Sequence, residues 1–129
     1  MDCVFCKIIS GEIPCETIYE DDIVKAFLDI DPETNGHTLI VPKKHLLDYN
    51  DLTNDDLIHI YDVIKKLYPL YQEKLHCDGL TLANNAYYAQ DVKHYHMHFI
   101  PRYKNDKVKY LSNEEILEDI KIIKDKLVK

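Results

Sequence analysis

The stretch Gln90-Asp91-Val92-Lys93-His94-Tyr95-His96-Met97-His98-Phe99-Ile100-Pro101-Arg102 decides how the rest of the chain is read. Three histidines stand at alternate positions, and Tyr95, Met97 and Phe99 fill the gaps. On a helix, a step of two residues scatters side chains around the cylinder. On a strand, the same step puts His94, His96 and His98 on one face and the apolar residues on the other. The fillers are bulky and β-compatible and Pro101 ends the run, so the stretch is predicted to be a strand with one face on a core. The other face then carries three imidazoles about 7 Å apart. Such a row has three readings. It is a polar, solvent-facing surface, a metal site in which two histidines two apart share an ion, or a site where one imidazole attacks a substrate while its neighbours orient it and handle protons.

Working outward, 129 residues make one domain large enough to bury a core. Hydrophobic residues at 46% and charged ones at 30% are ordinary for a globular protein. No apolar run is long enough for a transmembrane helix and no signal-peptide core is visible, so a cytoplasmic location and no membrane partner are expected. A net charge of −7 argues against a general nucleic-acid surface. A small anionic substrate would need a local cluster of donors, and the histidines, Lys93 and Arg102 supply one.

Of the four cysteines, Cys3 and Cys6 form a C-x-x-C pair. Without an export signal this reads as a metal knuckle or a redox pair rather than a structural disulfide. A thioredoxin-type motif should follow a strand, which this pair does not, so metal is favoured. No second C-x-x-C completes a four-cysteine site, so the missing ligands would have to be histidines. Cys15 and Cys77 lack partners at metal spacing and read as packing residues.

Residues 6–10 read as a short helix closed by Gly11, and residues 16–20 and 23–30 as a hairpin around Asp21-Asp22. A third strand over 37–41 stops at Pro42 and delivers Lys43, Lys44 and His45. Thr53 is a plausible N-cap for a long helix with Leu57, Ile60, Tyr61, Ile64, Leu67, Tyr68, Tyr71 and Leu75 on one side. Its His59 reads as a surface or satisfied helix histidine, and Pro69 should kink or split it. Asp78-Gly79 turns into a fourth strand over 80–83, preceded by His76, which is assigned to the surface. The histidine stretch is the fifth strand. Residues 112–115 form a capping box for a last helix with Ile116, Ile120, Ile123 and Leu127 inward. The expected class is α+β with an antiparallel sheet.

These residues carry a resemblance. Cys3-x-x-Cys6-Lys7-Ile8-Ile9, Glu12-Ile13-Pro14, Tyr19-Glu20-Asp21, Ala26-Phe27-Leu28-Asp29-Ile30, Gly36-His37-Thr38-Leu39-Ile40-Val41-Pro42-Lys43-x-His45 and the histidine stretch stand in the order of the histidine triad (HIT) family. The chain resembles its Hint-type branch, whose bacterial members keep the cysteine pair. The resemblance runs over about residues 2–103, with residues 112–128 as a helical extension.

The resemblance implies a HIT-like fold with a five-stranded antiparallel sheet, one long central helix and short N-terminal and C-terminal helices, paired as a homodimer. It implies a nucleotide substrate, purine by preference, cleaved at the α-phosphorus through a covalent nucleotidyl-histidine. His96 matches the attacking residue, His98 and His37 its companions, and Gln90 the active-site amide before the triad. Asp29 falls where the family binds ribose, and Phe5, Ile8, Phe27 and Ile30 where it sandwiches the base. Asn84 and Asp91 fall in the segments that border the nucleotide. Structural zinc is implied on Cys3, Cys6, His45 and His94. In the family, histidine at the position of His98 goes with hydrolysis and glutamine with nucleotidyl transfer.

The chain departs from the family pattern at Ala89 (usually glycine), at Asp91 (usually small and neutral), and in a shorter loop carrying Tyr87 and Tyr88. Three functions follow: a phosphoramidate hydrolase, a dinucleoside polyphosphate hydrolase, or a nucleotide-binding protein with incidental hydrolysis. At Asp91, a carboxylate turned inward would either repel the substrate phosphate or pair with a histidine.

Overall fold

Residues 17–28 reverse at Asp21-Asp22 and form the hairpin β1 (Thr17–Glu20) and β2 (Val24–Leu28). Asp21 caps the turn: its carboxylate accepts the Ile23 and Val24 N–H groups, the Tyr19 hydroxyl and His59. Burial alone would push this carboxyl up, but the N–H groups of Val24 and Ile23, with His59 and Tyr19, outweigh it and hold it at about 2. His59 is thus a satisfied helix histidine that pins the hairpin to the long helix.

The computed structural model describes residues 3–104 and 113–128, with the side chains of the last helix described from Glu118 onward. Its other elements are α1 (Val4–Ser10), β3 (Thr38–Pro42), α2 (Asn54–Leu75), β4 (Gly79–Asn84), β5 (Met97–Arg102) and α3 (Asn113–Val128). The strand order is β1-β2-β3-β5-β4, every neighbour antiparallel, which agrees with the expected α+β class. The capping box at residues 112–115 and the side chain of Ile116 lie outside the described residues.

Strand alternation sorts the side chains. Val24, Ala26, Leu28, Ile40, Tyr95, Met97 and Phe99 join α2 and α3 in the main core, where Ile120, Ile123 and Leu127 are also buried. Phe27, Leu39 and Val41 face the other way, against Cys3, Phe5 and Ile8 of the N-terminal segment. Phe27 pairs with Leu39 and Leu39 with His98, so one row across three strands runs from an apolar wall to an imidazole.

Two expectations change. The fifth strand begins at Met97, not before His94. The ladder to β3 stops at Ile40–Met97, Tyr95 N–H bonds instead to Leu46 C=O, and the Pro42 carbonyl is taken by the His94 ring. The side chains still alternate, so the facing of the triad holds while its hydrogen bonding does not. Nor does Pro69 split α2, which is one helix. Pro69 and Lys65, whose carbonyl loses its partner, both face solvent, where water can satisfy that oxygen. Thr53 caps α2 as expected, in a capping box with Asp56. Val63 belongs to the buried stripe and Tyr61, half exposed, does not.

Gly36 sets the entry to β3. Its φ is +87°, and a Cβ there would lie 2.6 Å from Leu75 Cδ1. The Thr38 hydroxyl donates to the Gly36 carbonyl and accepts from buried Tyr71. Gly36→Ala is therefore expected to cost about 1–3 kcal/mol from backbone strain and overlap. A denaturant midpoint within error of the parent would reject this.

Candidate active site

His37, His96 and His98 converge above the Phe27–Leu39 row. His37 Nε2 lies 3.0 Å from His98 Nδ1, and the His96 and His98 ring centres are 5.0 Å apart. His37 and His96 are buried and His98 is half-buried. Beside them opens a cavity of about 250 Å³ lined by Phe5, Ile8, Phe27, Asp29, Asp91 and His98, among others. Its far end is apolar and its near end carries the imidazoles, a division that suits a planar base joined to a phosphate.

Fixed hydrogen bonds assign the protons. His96 Nδ1 lies 2.7 Å from the His94 carbonyl, which can only accept, so Nδ1 carries the proton and the lone pair of a neutral His96 is on Nε2. The Glu33 N–H donates to His37 Nδ1 at 3.0 Å, so His37 holds its proton on Nε2 and donates to His98 Nδ1. This leaves the proton of a neutral His98 on Nε2 as the donor offered to the cavity. Burial, reinforced by His98, holds His37 below the usual imidazole range despite the Asp29 carboxylate 3.5 Å away. Burial and then His96 do the same to His98.

A second cluster brings the donor atoms of Cys3, Cys6, His45 and His94 within 4.8 Å of one another. The His94 Nε2–H donates to Pro42 C=O at 2.8 Å, which leaves Nδ1 free to ligate. That nitrogen lies 3.4 Å from Cys3 Sγ and 3.6 Å from Cys6 Sγ, and His45 Nδ1 lies 3.3 Å from Cys6 Sγ. A tetrahedral zinc with Zn–S about 2.3 Å and Zn–N about 2.0 Å has S···N edges of about 3.5 Å. The four residues therefore fit a closed tetrahedral ion. Burial and the neighbouring Cys3 push the Cys6 thiol up to about 11, a proton that a cation would displace. Asp29, His37 and His98 also bring donor atoms together. There the Glu33 bond forces a proton onto His37 Nε2, so that trio works as a hydrogen-bonded relay rather than a ligand set.

The two clusters share a wall. Phe5, between Cys3 and Cys6 in sequence, sets its ring edge-on to His96 at 5.0 Å and to His94 at 5.8 Å. Gly11, in the left-handed conformation, ends α1 and turns the chain toward Ile13, Pro14 and Cys15, which also line the cavity.

Most site residues read from the sequence meet here. Phe5, Ile8, Phe27, Asp29 and Asp91 line the cavity with His96 and His98, while Ile30 sits at its rim, 69% exposed. Asn84 and Gln90 do not line it. Asn84 Nδ2 donates to the His96 carbonyl, and Gln90 Nε2 to the Leu47 carbonyl. The buried Asn84 Oδ1 and Gln90 Oε1 have no partner among the described residues. Sequence reasoning missed Val4, Ile13, Pro14, Cys15, Leu28, Leu39 and Val92 as cavity lining. Leu39 was within reach, since it stands one strand position from the paired Thr38 and faces the side of His98.

Fold and site define an antiparallel α+β protein with a histidine relay beside a base-sized cavity. The chain belongs to the HIT family: the HIT domain model matches residues 10–105. It is 43% identical over 128 residues to an uncharacterised HIT-like protein of Methanocaldococcus jannaschii, covering 92% of this chain and 98% of that one. It is 37% identical over 103 residues to an adenosine 5′-monophosphoramidase of Schizosaccharomyces pombe, covering 79% and 75% of the two chains. Among solved structures, a zinc-bound histidine triad family protein from Mycobacterium smegmatis superposes with a TM-score of 0.83 at 36% identity, over 98% of this chain and 94% of that one. No described helix is long and apolar enough to cross a membrane.

Proposed function

We propose that the protein is a nucleotide hydrolase acting at the α-phosphorus of nucleoside 5′-phosphoramidates, with His96 as nucleophile. The observation that carries this reading is the His96 tautomer: Nδ1–H is tied to the His94 carbonyl and the lone pair stands on Nε2 at the cavity. A neutral imidazole attacks without first losing a proton. Nε2 forms a bond to phosphorus, the phosphorus–nitrogen bond of the substrate breaks, and the departing nitrogen takes up one proton from solvent at the open mouth. Water then attacks the nucleotidyl-histidine, the P–Nε2 bond breaks, the lone pair returns to Nε2, and the proton shed by the water goes back to solvent. The sum is phosphoramidate plus water to nucleotide plus amine.

His98 Nε2–H is the donor for the charge that grows on the phosphoryl oxygens, and His37 holds its ring through the 3.0 Å bond. Asp29 binds the ribose hydroxyls and Phe5, Ile8, Phe27 and Ile30 enclose the base. Asn84 and Gln90 act through the His96 and Leu47 carbonyls that they hold. Zinc belongs to the same proposal, held by Cys3, Cys6, His45 and His94. When bound it cross-links the N-terminal helix to the segments after β3 and before β5 and takes no part in the reaction. Homodimer formation would place edge strand β4 and the exposed Ile58 and Tyr61 of α2 against a second copy.

Steady-state turnover of adenosine and guanosine 5′-phosphoramidates, compared with diadenosine polyphosphates, tests the reaction class. We expect a specificity constant at least about a hundredfold higher for the phosphoramidates. Preference for the polyphosphates, or no turnover of either, would reject it.

A further inference from the structure

We infer that Asp91 is a charge selector for the leaving group, admitting nucleotide conjugates whose amine carries a positive charge and discriminating against anionic ones. The inference rests on the hydrolase reading above and narrows its substrate class. Asp91 Oδ1 lies 3.4 Å from His96 Nε2, and its side chain is 81% exposed at the rim of the cavity. Among the described residues that histidine is its only basic neighbour within 4 Å, and a neutral His96 brings no charge to the pair. Lys93, the cation nearest in sequence, spends its Nζ on the Tyr87 and Gln90 carbonyls. The carboxylate is therefore not neutralised by a lysine or arginine.

Its position has a geometric consequence. An attacked phosphorus must come within about 3–3.5 Å of the nucleophilic nitrogen. A carboxylate oxygen holds that distance now, so a bound phosphoryl group and the carboxylate would be close neighbours at Nε2. Asp91 Oδ1 also accepts the Val92 N–H at 2.9 Å, so to turn away the side chain must exchange that one bond for water, while its backbone is held more firmly. The short turn Tyr87–Ala89 in front of it starts from Tyr87 at φ +48°, a strained value for a tyrosine, and Lys93 clamps the turn from both carbonyls. The carboxylate can swing only about its own side-chain bonds, and it stays beside the mouth through which the leaving group departs. There a charge about 6 Å away feels it, in a partly solvated setting, by about tenfold in rate for either sign.

A matched set of adenosine 5′-phosphoramidates tests this, with 1,3-diaminopropane, propylamine and β-alanine as leaving amines. These keep the same phosphorus–nitrogen bond and present a positive, neutral and negative tail. For the parent we expect kcat/KM to favour the cationic over the anionic tail by on the order of a hundredfold. Asp91→Asn should bring that ratio to within about threefold of one, and Asp91→Glu, which keeps the charge, should retain most of it. A ratio that Asp91→Asn leaves unmoved, or an equal change for all three tails, overturns the inference and leaves the hydrolase reading standing. A parent that turns over none of the three overturns both.

Discussion

His96→Ala should lower turnover of a nucleoside phosphoramidate by at least about a thousandfold, since removing a covalent nucleophile leaves only binding and electrostatic assistance. No neighbour can replace it. His94 has its Nε2 on Pro42 and its Nδ1 against two thiols, and His98 has its Nδ1 on His37. His96 is also buried, so the variant has a cavity and loses the bond to the His94 carbonyl. Unfolding and nucleotide-binding measurements must therefore accompany the kinetics, and both should report a folded, binding-competent protein. The parent, quenched in alkali during a single turnover, should carry a nucleotide on His96, because phosphorus–imidazole bonds survive base better than acid. Residual turnover above about one per cent, or an adduct on another residue, would place the nucleophile elsewhere.

The second large effect concerns the metal. Purified protein should hold one zinc per chain, and its removal should cost about 3 kcal/mol or more of stability, since binding energy at a site formed only by folding is folding energy. Cys6→Ala should lower the thermal midpoint and zinc content together. The damage should reach the substrate, because α1 carries Phe5 and Ile8 to the cavity from the same segment that supplies Cys3 and Cys6. Nucleotide affinity of the metal-free protein should fall even where the fold survives. Zinc-free protein with the parental midpoint and affinity would show that the four residues are merely neighbours.

The alternation of His94, Tyr95, His96, Met97 and His98 was legible because strand geometry leaves two faces to choose between, and the apolar set names the buried one. The hairpin, Thr53 and Gly11 were legible for the same local reason, each being fixed by the chemistry of a few adjacent residues. Where a strand begins was not, because that depends on the carbonyl of Pro42 being claimed by a ring 52 positions away. Pro69 does not split the helix because the cost of proline depends on which side of the helix meets water. At the site, Asp29 and His37 could be placed only through family resemblance. They lie 69 and 61 positions from His98, and no periodicity connects them. The apolar walls Leu39 and Val92 look like any core residue until the sheet is assembled.

The cluster at Cys3 and His94 joins points 91 residues apart in the chain. A metal held there would close a ring containing α1, β1, β2, β3, α2 and β4, leaving β5 and α3 outside it. Mechanically the two sides differ. Tension applied between the chain ends would peel off the C-terminal helix first, while the looped elements bear no load until the ion lets go. In the denatured chain the same closure would remove the freedom of a long loop, a cost that grows only slowly with its length.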